Sequence, residues 1–324
     1  MKAIPRVGLA QLPTPVHTMP RLSAHLGGPE LWIKRDDLTG LAFGGNKTRK
    51  LETLCAAAQA DNANLLITAG AIQSNHCRQT AAAAARLGLG CMLVLVGQPP
   101  DMPSANLLLD HLLGAEIRWS TKATRDEMLH AVFEETKASG RRPFLIPYGG
   151  SNSTGAAAYV LALKELIDQD VRPDWIVFAT SSGGTQAGLL AGAKLLGYQG
   201  NLLGISVDER ANDLRPRIAE LAEETITVFG EPAAFSENEI AVNDDYLGNG
   251  YAIMGAPERE AIQLFAQQEG IFTDPVYSGR AAAGLIDLVL KGLFKNDHRV
   301  LFWHTGGTPA LFTDTYQKEL GAIR

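Results

Sequence analysis

No stretch of this 324-residue chain is apolar over enough length to cross a bilayer. The longest near-apolar run, Leu87–Gly97, falls well short of the roughly 20 residues a spanning helix needs. The first ten residues contain Pro5 and no sustained apolar run, so no secretory signal is expected and the chain reads as soluble and cytoplasmic. Cysteine is scarce: Cys55, Cys77 and Cys91 are the only three, widely spaced, with no C-x-x-C and no paired histidines beside them. That pattern excludes a disulfide scaffold and a zinc or other metal site, and the three read as small buried hydrophobes in a reducing compartment. Positive charge is not in excess either. With 29 Lys+Arg against 35 Asp+Glu the net charge is −6, which leaves no electrostatic footprint for nucleic acid or an anionic membrane.

What is present is core material. Hydrophobic residues make up 46% and charged ones 20%, and a chain of this size hides about three-quarters of its unfolded surface. The 33 Gly and 16 Pro are scattered, which excludes collagen-like and low-complexity readings. Short β-rich runs at Leu31–Lys34, Leu65–Thr68, Cys91–Val96, Phe144–Pro147, Trp175–Thr180, Leu202–Val207 and Val300–Trp303 alternate with helical patterns at Ala81–Leu87, Ala156–Ile167, Ala187–Leu196, Pro257–Glu269 and Ala281–Leu290. Such βα alternation predicts an α/β fold with mostly parallel sheets flanked by helices. Gln98–Asn106 and Phe229–Asn249 read as loops. Ligands of open α/β sheets sit outside the carboxyl ends of strands, which directs the search to the turns leaving these runs.

The first such turn, Gly40–Lys50, nearly spells a phosphate-binding loop: Gly40, four residues, then Gly45. Asn46 stands where the lysine belongs, and Lys47 arrives one place late, a slip of about 100° at a helix start. A P-loop-like nucleotide-binding protein is therefore the weaker reading. A lysine at the head of a helix behind two glycines suits covalent capture of an aldehyde cofactor better, because the helix dipole and close backbone disfavour the ammonium form. Without further context Lys47 would instead be one solvated member of a basic patch with Arg35, Arg49 and Lys50.

Further turns decide between these. Thr68–His76 packs Gln73, Ser74, Asn75 and His76 at a helix start, a place for a carboxylate or for plain N-capping. Thr180–Gly188 offers Ser182, Gly183, Gly184 and Thr185 as a phosphate cup without the spacing of a dinucleotide site. Asp274–Arg280 presents Tyr277 and Ser278 between Pro275 and Gly279, and the last apolar run ends in His304-Thr305-Gly306-Gly307. A lone His304 reads as a packed histidine rather than a catalyst.

In this order, Gly44–Lys50, Gln73–His76, Ser182–Thr185, Asp274–Tyr277 and His304–Gly307 resemble the D-cysteine desulfhydrase and 1-aminocyclopropane-1-carboxylate deaminase family, over roughly residues 12–312. The resemblance implies pyridoxal 5'-phosphate as cofactor, a two-lobed fold type II body like tryptophan synthase β, and a homodimer. It implies a large cofactor-binding lobe from residues 1–48 and 154–324, with 49–153 as a smaller inserted α/β lobe. Lys47 would hold the cofactor covalently and act as general base. Ser182, Gly183, Gly184 and Thr185 would cradle its phosphate, Asn75 would meet the ring hydroxyl, and Thr305 would face the ring nitrogen. Ser74 would take the substrate carboxylate, with Asn75, His76, Tyr251, Tyr277 and Ser278 lining the substrate face and Tyr277 assisting proton transfer.

Small hydroxyl residues at Ser278 and Thr305, where the ring-opening deaminases carry glutamate and leucine, point to β-elimination on D-cysteine giving pyruvate, ammonia and hydrogen sulfide. The alternatives within the family are a 1-aminocyclopropane-1-carboxylate deaminase and an L-cysteate sulfo-lyase. Ala252-Ile253-Met254 departs from the Gly-Val/Leu-Pro usual in relatives, so the pocket wall is expected to differ there.

Overall fold

The computed structural model describes residues 2–321. Two separate sheets form. The larger runs β1 (Val16–Thr18), β2 (Glu30–Arg35), β10 (Arg299–His304), β7 (Trp175–Thr180), β8 (Asn201–Ser206), β9 (Ala241–Asn243), and only β1 is antiparallel to its neighbour. The smaller runs β5 (Glu116–Ser120), β4 (Gly90–Val96), β3 (Leu65–Ala71), β6 (Pro143–Leu145), all parallel. Strands covered on both faces need continuous apolar runs rather than alternation, and β3, β7 and β10 are buried through nearly their whole length.

The helices are α1 (Pro20–Leu26), α2 (Asn46–Ala60), α3 (Asn75–Leu87), α4 (Ala105–Leu112), α5 (Arg125–Ala138), α6 (Ser153–Asp168), α7 (Gly184–Leu196), α8 (Ala211–Val228), α9 (Ala256–Glu269), α10 (Ser278–Leu290) and α11 (Asp314–Gly321). Helices α3, α7 and α10 start earlier than their apolar patterns announce, because polar first turns are recruited to a cavity or to caps. Ser74, for example, accepts the amide proton of Cys77 and so starts α3 six residues before Ala81. The stretch 229–249, expected as a loop, contains β9, paired with β8 from Leu203 opposite Ala241. Edge strands β1, β5 and β9 are short or carry exposed polar residues, so no apolar run marks them. All three cysteines are buried and free.

Helix α2 is fixed in place by a buried charge network. The Asp36 carboxylate, fully buried, accepts from Arg49 Nε (3.0 Å) and Nη2 (2.8 Å), Tyr159 OH (2.7 Å), Trp303 Nε1 (2.8 Å) and Thr14 Oγ1 (3.0 Å). Arg49 also reaches Glu165 at 2.8 Å, which in turn takes Lys34 Nζ at 2.6 Å. These donors hold the Asp36 carboxyl below the usual carboxylate range despite its burial. The network ties α2 to the end of β2, to β10 and to α6.

Removing one partner of a buried, hydrogen-bonded pair strands the other charge, at about 3–5 kcal/mol. Asp36→Asn should therefore lose a few kcal/mol in urea denaturation, while Tyr159→Phe, which leaves the ion pair intact, should lose only about 1 kcal/mol.

Candidate active site

The turns leaving β2, β3, β6, β7 and β10 meet at one cavity, lined among others by Lys47, Ser74, Asn75, His76, Tyr148, Ser182, Gly183, Thr185, Tyr277 and Thr305. With Tyr277, from the turn before α10, residues from six separated segments thus share one enclosure. Close backbone approach makes this possible. Gly45 (φ +126°) and Gly306 (φ +90°) touch, since a Cβ on Gly306 would lie 2.7 Å from Gly45 Cα. That contact sets Lys47, on the first turn of α2, beside Thr305 at the end of β10, and Asn46 N–H donates to Thr305 O at 2.9 Å.

The loop before α2 is not a phosphate loop. Gly45 N–H donates to Asp36 O, Asn46 N–H to Thr305 O, and the Thr48 hydroxyl to Gln79 Oε1 at 2.7 Å, so its donors are already spent. The solvated basic patch is overturned as well. Arg49 and Lys50 are buried, Arg49 sits in the Asp36 network, and Arg35 is held by Asp37 at 2.6 Å. Burial lowers the Lys47 amine from 10.5 to about 8, with the Asp208 carboxylate pulling the other way.

The N-termini of α2, α3 and α7 converge on the cavity; their dipoles favour an anion there, and the free amides come from α3 and α7, since those of α2 are spent. At α7, Gly183 caps in a left-handed conformation. A Cβ on Gly184 would lie 2.5 Å from Ser151 Oγ and 2.9 Å from Lys50 Nζ, so hydroxyl and ammonium crowd onto the same helix start. Lys50 has only weak contacts, Gly149 O and Ser151 Oγ at 3.3 Å each, and burial together with Lys47 drives its amine well below the lysine range. A phosphate at this cup would give Lys50 the counter-charge it lacks. Nearby buried polar atoms also have no protein partner: His76 Nδ1, Thr180 Oγ1 and Asp208 Oδ1. These observations fit an aldehyde cofactor with a phosphate arm, held by Lys47 at one end and the α7 cup at the other.

The remaining expected residues fall as follows. Ser74 Oγ accepts from Cys77 N–H, leaving its own proton to donate into the cavity. His76 Nε2 lies 3.0 Å from Thr68 Oγ1, and burial keeps the ring neutral, well below its usual pKa. Tyr277 OH and Tyr251 OH are 2.6 Å apart, so Tyr251 reaches the cavity through Tyr277 rather than lining it. Both phenols are pushed up by burial and stay protonated. Ser278 is not on the cavity surface: its hydroxyl donates to Asp274 Oδ1 (2.7 Å) and lies 3.1 Å from Gly306 O, which braces the loop carrying Thr305. Gly184 lies behind the lining, at the first position of α7. His304 is packed, donating from Nε2 to Phe272 O and accepting Gly306 N–H at Nδ1.

Three contributors escaped the sequence reading: Tyr148, Gly149 and Asp208. The first two follow β6 in a Gly-Gly-Ser turn, and a Cβ on Gly149 would collide with Ser182 Oγ at 2.6 Å. That glycine-rich turn after an apolar run was a usable signal. Asp208 follows β8 and accepts from Ser181 Oγ at 2.7 Å; nothing local distinguishes it from the exposed acids beside it.

A family described as pyridoxal-phosphate dependent enzymes matches residues 7–306. D-cysteine desulfhydrase of Klebsiella pneumoniae (strain 342) is 43% identical over 317 residues, covering 95% of each chain. The D-cysteine desulfhydrase of Salmonella typhi is 42% identical with the same coverage. Among solved structures, an ACC deaminase homologue superposes with a TM-score of 0.91 at 36% identity, over 99% of this chain and 97% of that one. A fungal L-serine ammonia-lyase from Rhizomucor miehei shares the fold alone, with a TM-score of 0.69 at 14% identity over 98% and 99% of the two chains.

The electrostatics make a prediction with a definite sign. Only neutral amine reacts with acylating reagents, so labelling of Lys47 in cofactor-free protein should rise with pH through a midpoint at about 8. Asp208 is the influence that raises this amine, so Asp208→Asn should move the midpoint lower. Peptide mass spectrometry against pH would show it; an unchanged or higher midpoint contradicts this account.

Proposed function

The chain belongs to the pyridoxal-phosphate dependent enzymes, and from that premise we propose that it is a carbon–sulfur lyase that eliminates hydrogen sulfide from D-cysteine, leaving pyruvate and ammonia. The observation that carries the reaction class is Lys47, an amine with its pKa lowered to about 8 where three helix N-termini meet. The near-full-length likeness to D-cysteine desulfhydrases supports the substrate.

When bound, the cofactor supplies the electron sink for the charge left at the substrate α-carbon. In the proposed roles, Lys47 Nζ takes the α-proton, which its lowered pKa allows near neutral pH. Ser74, with a free hydroxyl proton, and Asn75 orient the substrate carboxylate at the start of α3. Tyr277, kept protonated and coupled to Tyr251, hands a proton to the departing sulfur. Thr305, which lines the cavity, would offer the ring nitrogen a neutral hydroxyl, which could not keep that nitrogen protonated as a carboxylate would. His76 and the Ser278-braced turn shape the substrate face. Ser182, Gly183, Gly184 and Thr185 would hold the phosphate, with Lys50 behind them.

The division into a lobe of residues 1–48 and 154–324 and an inserted lobe of 49–153 is proposed on the same footing, supported by two sheets that share no strand. A cytoplasmic site of action is proposed from the three free, buried cysteines; no helix among the described residues is long and apolar enough to cross a membrane. A homodimer is supported by a continuous exposed apolar face, with Phe43 63%, Phe272 58% and Phe312 61% exposed around two adjoining grooves that share Phe272 and Thr308.

Purified enzyme given D-cysteine should release pyruvate and sulfide in equal amounts, and Lys47→Ala should reduce this roughly a thousandfold. Sulfite from L-cysteate, or 2-oxobutyrate from 1-aminocyclopropane-1-carboxylate, formed faster than pyruvate from D-cysteine would reassign the substrate. Light scattering should give twice the chain mass, and Phe43→Asp with Phe272→Asp should shift it towards the monomer.

A further inference from the structure

Asn75 lines the cavity, and which end of its amide faces inward decides what it can bind. The buried network around it settles the orientation. Arg78 Nη1 lies 3.1 Å from Asn75 Oδ1 and 2.8 Å from Asn106 Oδ1. A guanidinium carries only donors, so both partner atoms must be carbonyl oxygens. Asn106 then has Nδ2 on its other side, and this atom donates to Gln73 O at 2.9 Å and to the same Asn75 Oδ1 at 3.0 Å. With two donors converging on Oδ1, the Asn75 atom left for a ligand is Nδ2, a pure donor.

Arg78 does a second thing from the same head group. Its Nη2 donates to Gly44 O at 2.8 Å, in the glycine bend that delivers Lys47. One planar, fully buried group therefore spans the segment that carries the cofactor-linking amine and the residue that faces the cofactor ring. No carboxylate within salt-bridge distance holds Arg78 among the described residues. Asp110 is buried nearby with both oxygens unpartnered, so the orientation of Arg78 is set by amide and carbonyl acceptors alone.

We propose that Arg78 is a positioning residue which, through Asn75 and Asn106 on one side and Gly44 on the other, locks Asn75 as a hydrogen-bond donor to an ionised ring oxygen and fixes its placement relative to Lys47. The site consequently selects cofactors that carry that oxygen. This holds whichever amino acid is the substrate, since it concerns only the cofactor the family uses.

The test uses pyridoxal phosphate and 3-deoxypyridoxal phosphate, which lacks the ring oxygen, with affinity measured by absorbance titration of enzyme stripped of and reloaded with each. A donor to an ionised oxygen should give the unaltered protein a preference of roughly tenfold or more for the natural cofactor. Asn75→Ala sets the floor of that ratio. Arg78→Lys keeps the charge but cannot reach three acceptors in one plane, so its ratio should fall most of the way to that floor. The absorbance band that reports ring-oxygen ionisation should move, while affinity for the deoxy compound stays within about twofold. A general loosening of the fold would instead weaken both ligands alike. If Arg78→Lys fails to fold, Asn106→Ala removes one of the two donors on Asn75 Oδ1 and must lower the ratio by itself. An unchanged ratio and spectrum in whichever variant folds, or equal loss for both cofactors, overturns the proposal.

Discussion

The Asp36–Arg49 pair is the constraint from which the site follows. Arg49 sits two residues beyond Lys47 on α2, and Asp36 lies where β2 gives way to the glycine bend. By burying this pair among Tyr159, Trp303 and Thr14, the fold fixes how α2 enters. Buried ion pairs seldom add net stability over apolar packing. What this one supplies is direction: Lys47, two residues earlier on the same turn of α2, is carried to the cavity. The same pair withdraws Arg49 from the expected basic patch, while Arg35 is matched by Asp37 and Lys50 is buried without a carboxylate partner.

Reactivity at Lys47 is then a consequence of place rather than of any special neighbour. Burial lowers its pKa, and the helix N-termini that meet there work in the same direction. Asp208 opposes them, which keeps the amine from falling further below the ordinary lysine range. A site built only from positive ends would bind an anion tightly and leave the lysine too weak a base to remove a proton. Asp208, tethered by Ser181 on the wall of the cavity, moderates that field without occupying the space the ligand needs.

Much of this was legible in the chain because buried parallel strands and glycine-rich exits leave strong local marks. The Trp175–Thr180 run reads directly as β7, and the Ser-Gly-Gly-Thr turn after it reads as a phosphate cup. The family resemblance turned separate marks into one site. What stayed hidden depends on distant pairing. β9 is three residues with one buried side chain, visible only once β8 lies beside it. Tyr251 and Ser278 could be named from the resemblance, but not their geometry: one acts through Tyr277, and the other braces Asp274 and Gly306. Asp208 matters because of a hydrogen bond across 27 residues to Ser181, which no local pattern encodes.

The unsatisfied groups around the cavity tell the same story from the side of stability. Close pairing is the rule at Arg280, which is matched by Glu258 at 2.7 Å and by the carbonyls of Val207 and Ile253, though not at Asp110, whose two buried oxygens have no partner. At the cavity the rule is broken repeatedly: Lys47 and Lys50 stand one turn apart without a carboxylate in contact, and His76 Nδ1 and Thr180 Oγ1 face no partner. Each such group costs free energy in the empty protein, and each is a donor or acceptor of the kind an anionic, carbonyl-bearing ligand completes. A ligand that binds only the folded state returns that cost in proportion to its occupancy. Around the cavity these groups sit on α2, at the start of α3, at the end of β7 and just after β8. The rigid network behind them, centred on Asp36 and Arg49, remains fully paired and holds the unsatisfied groups in position for the ligand.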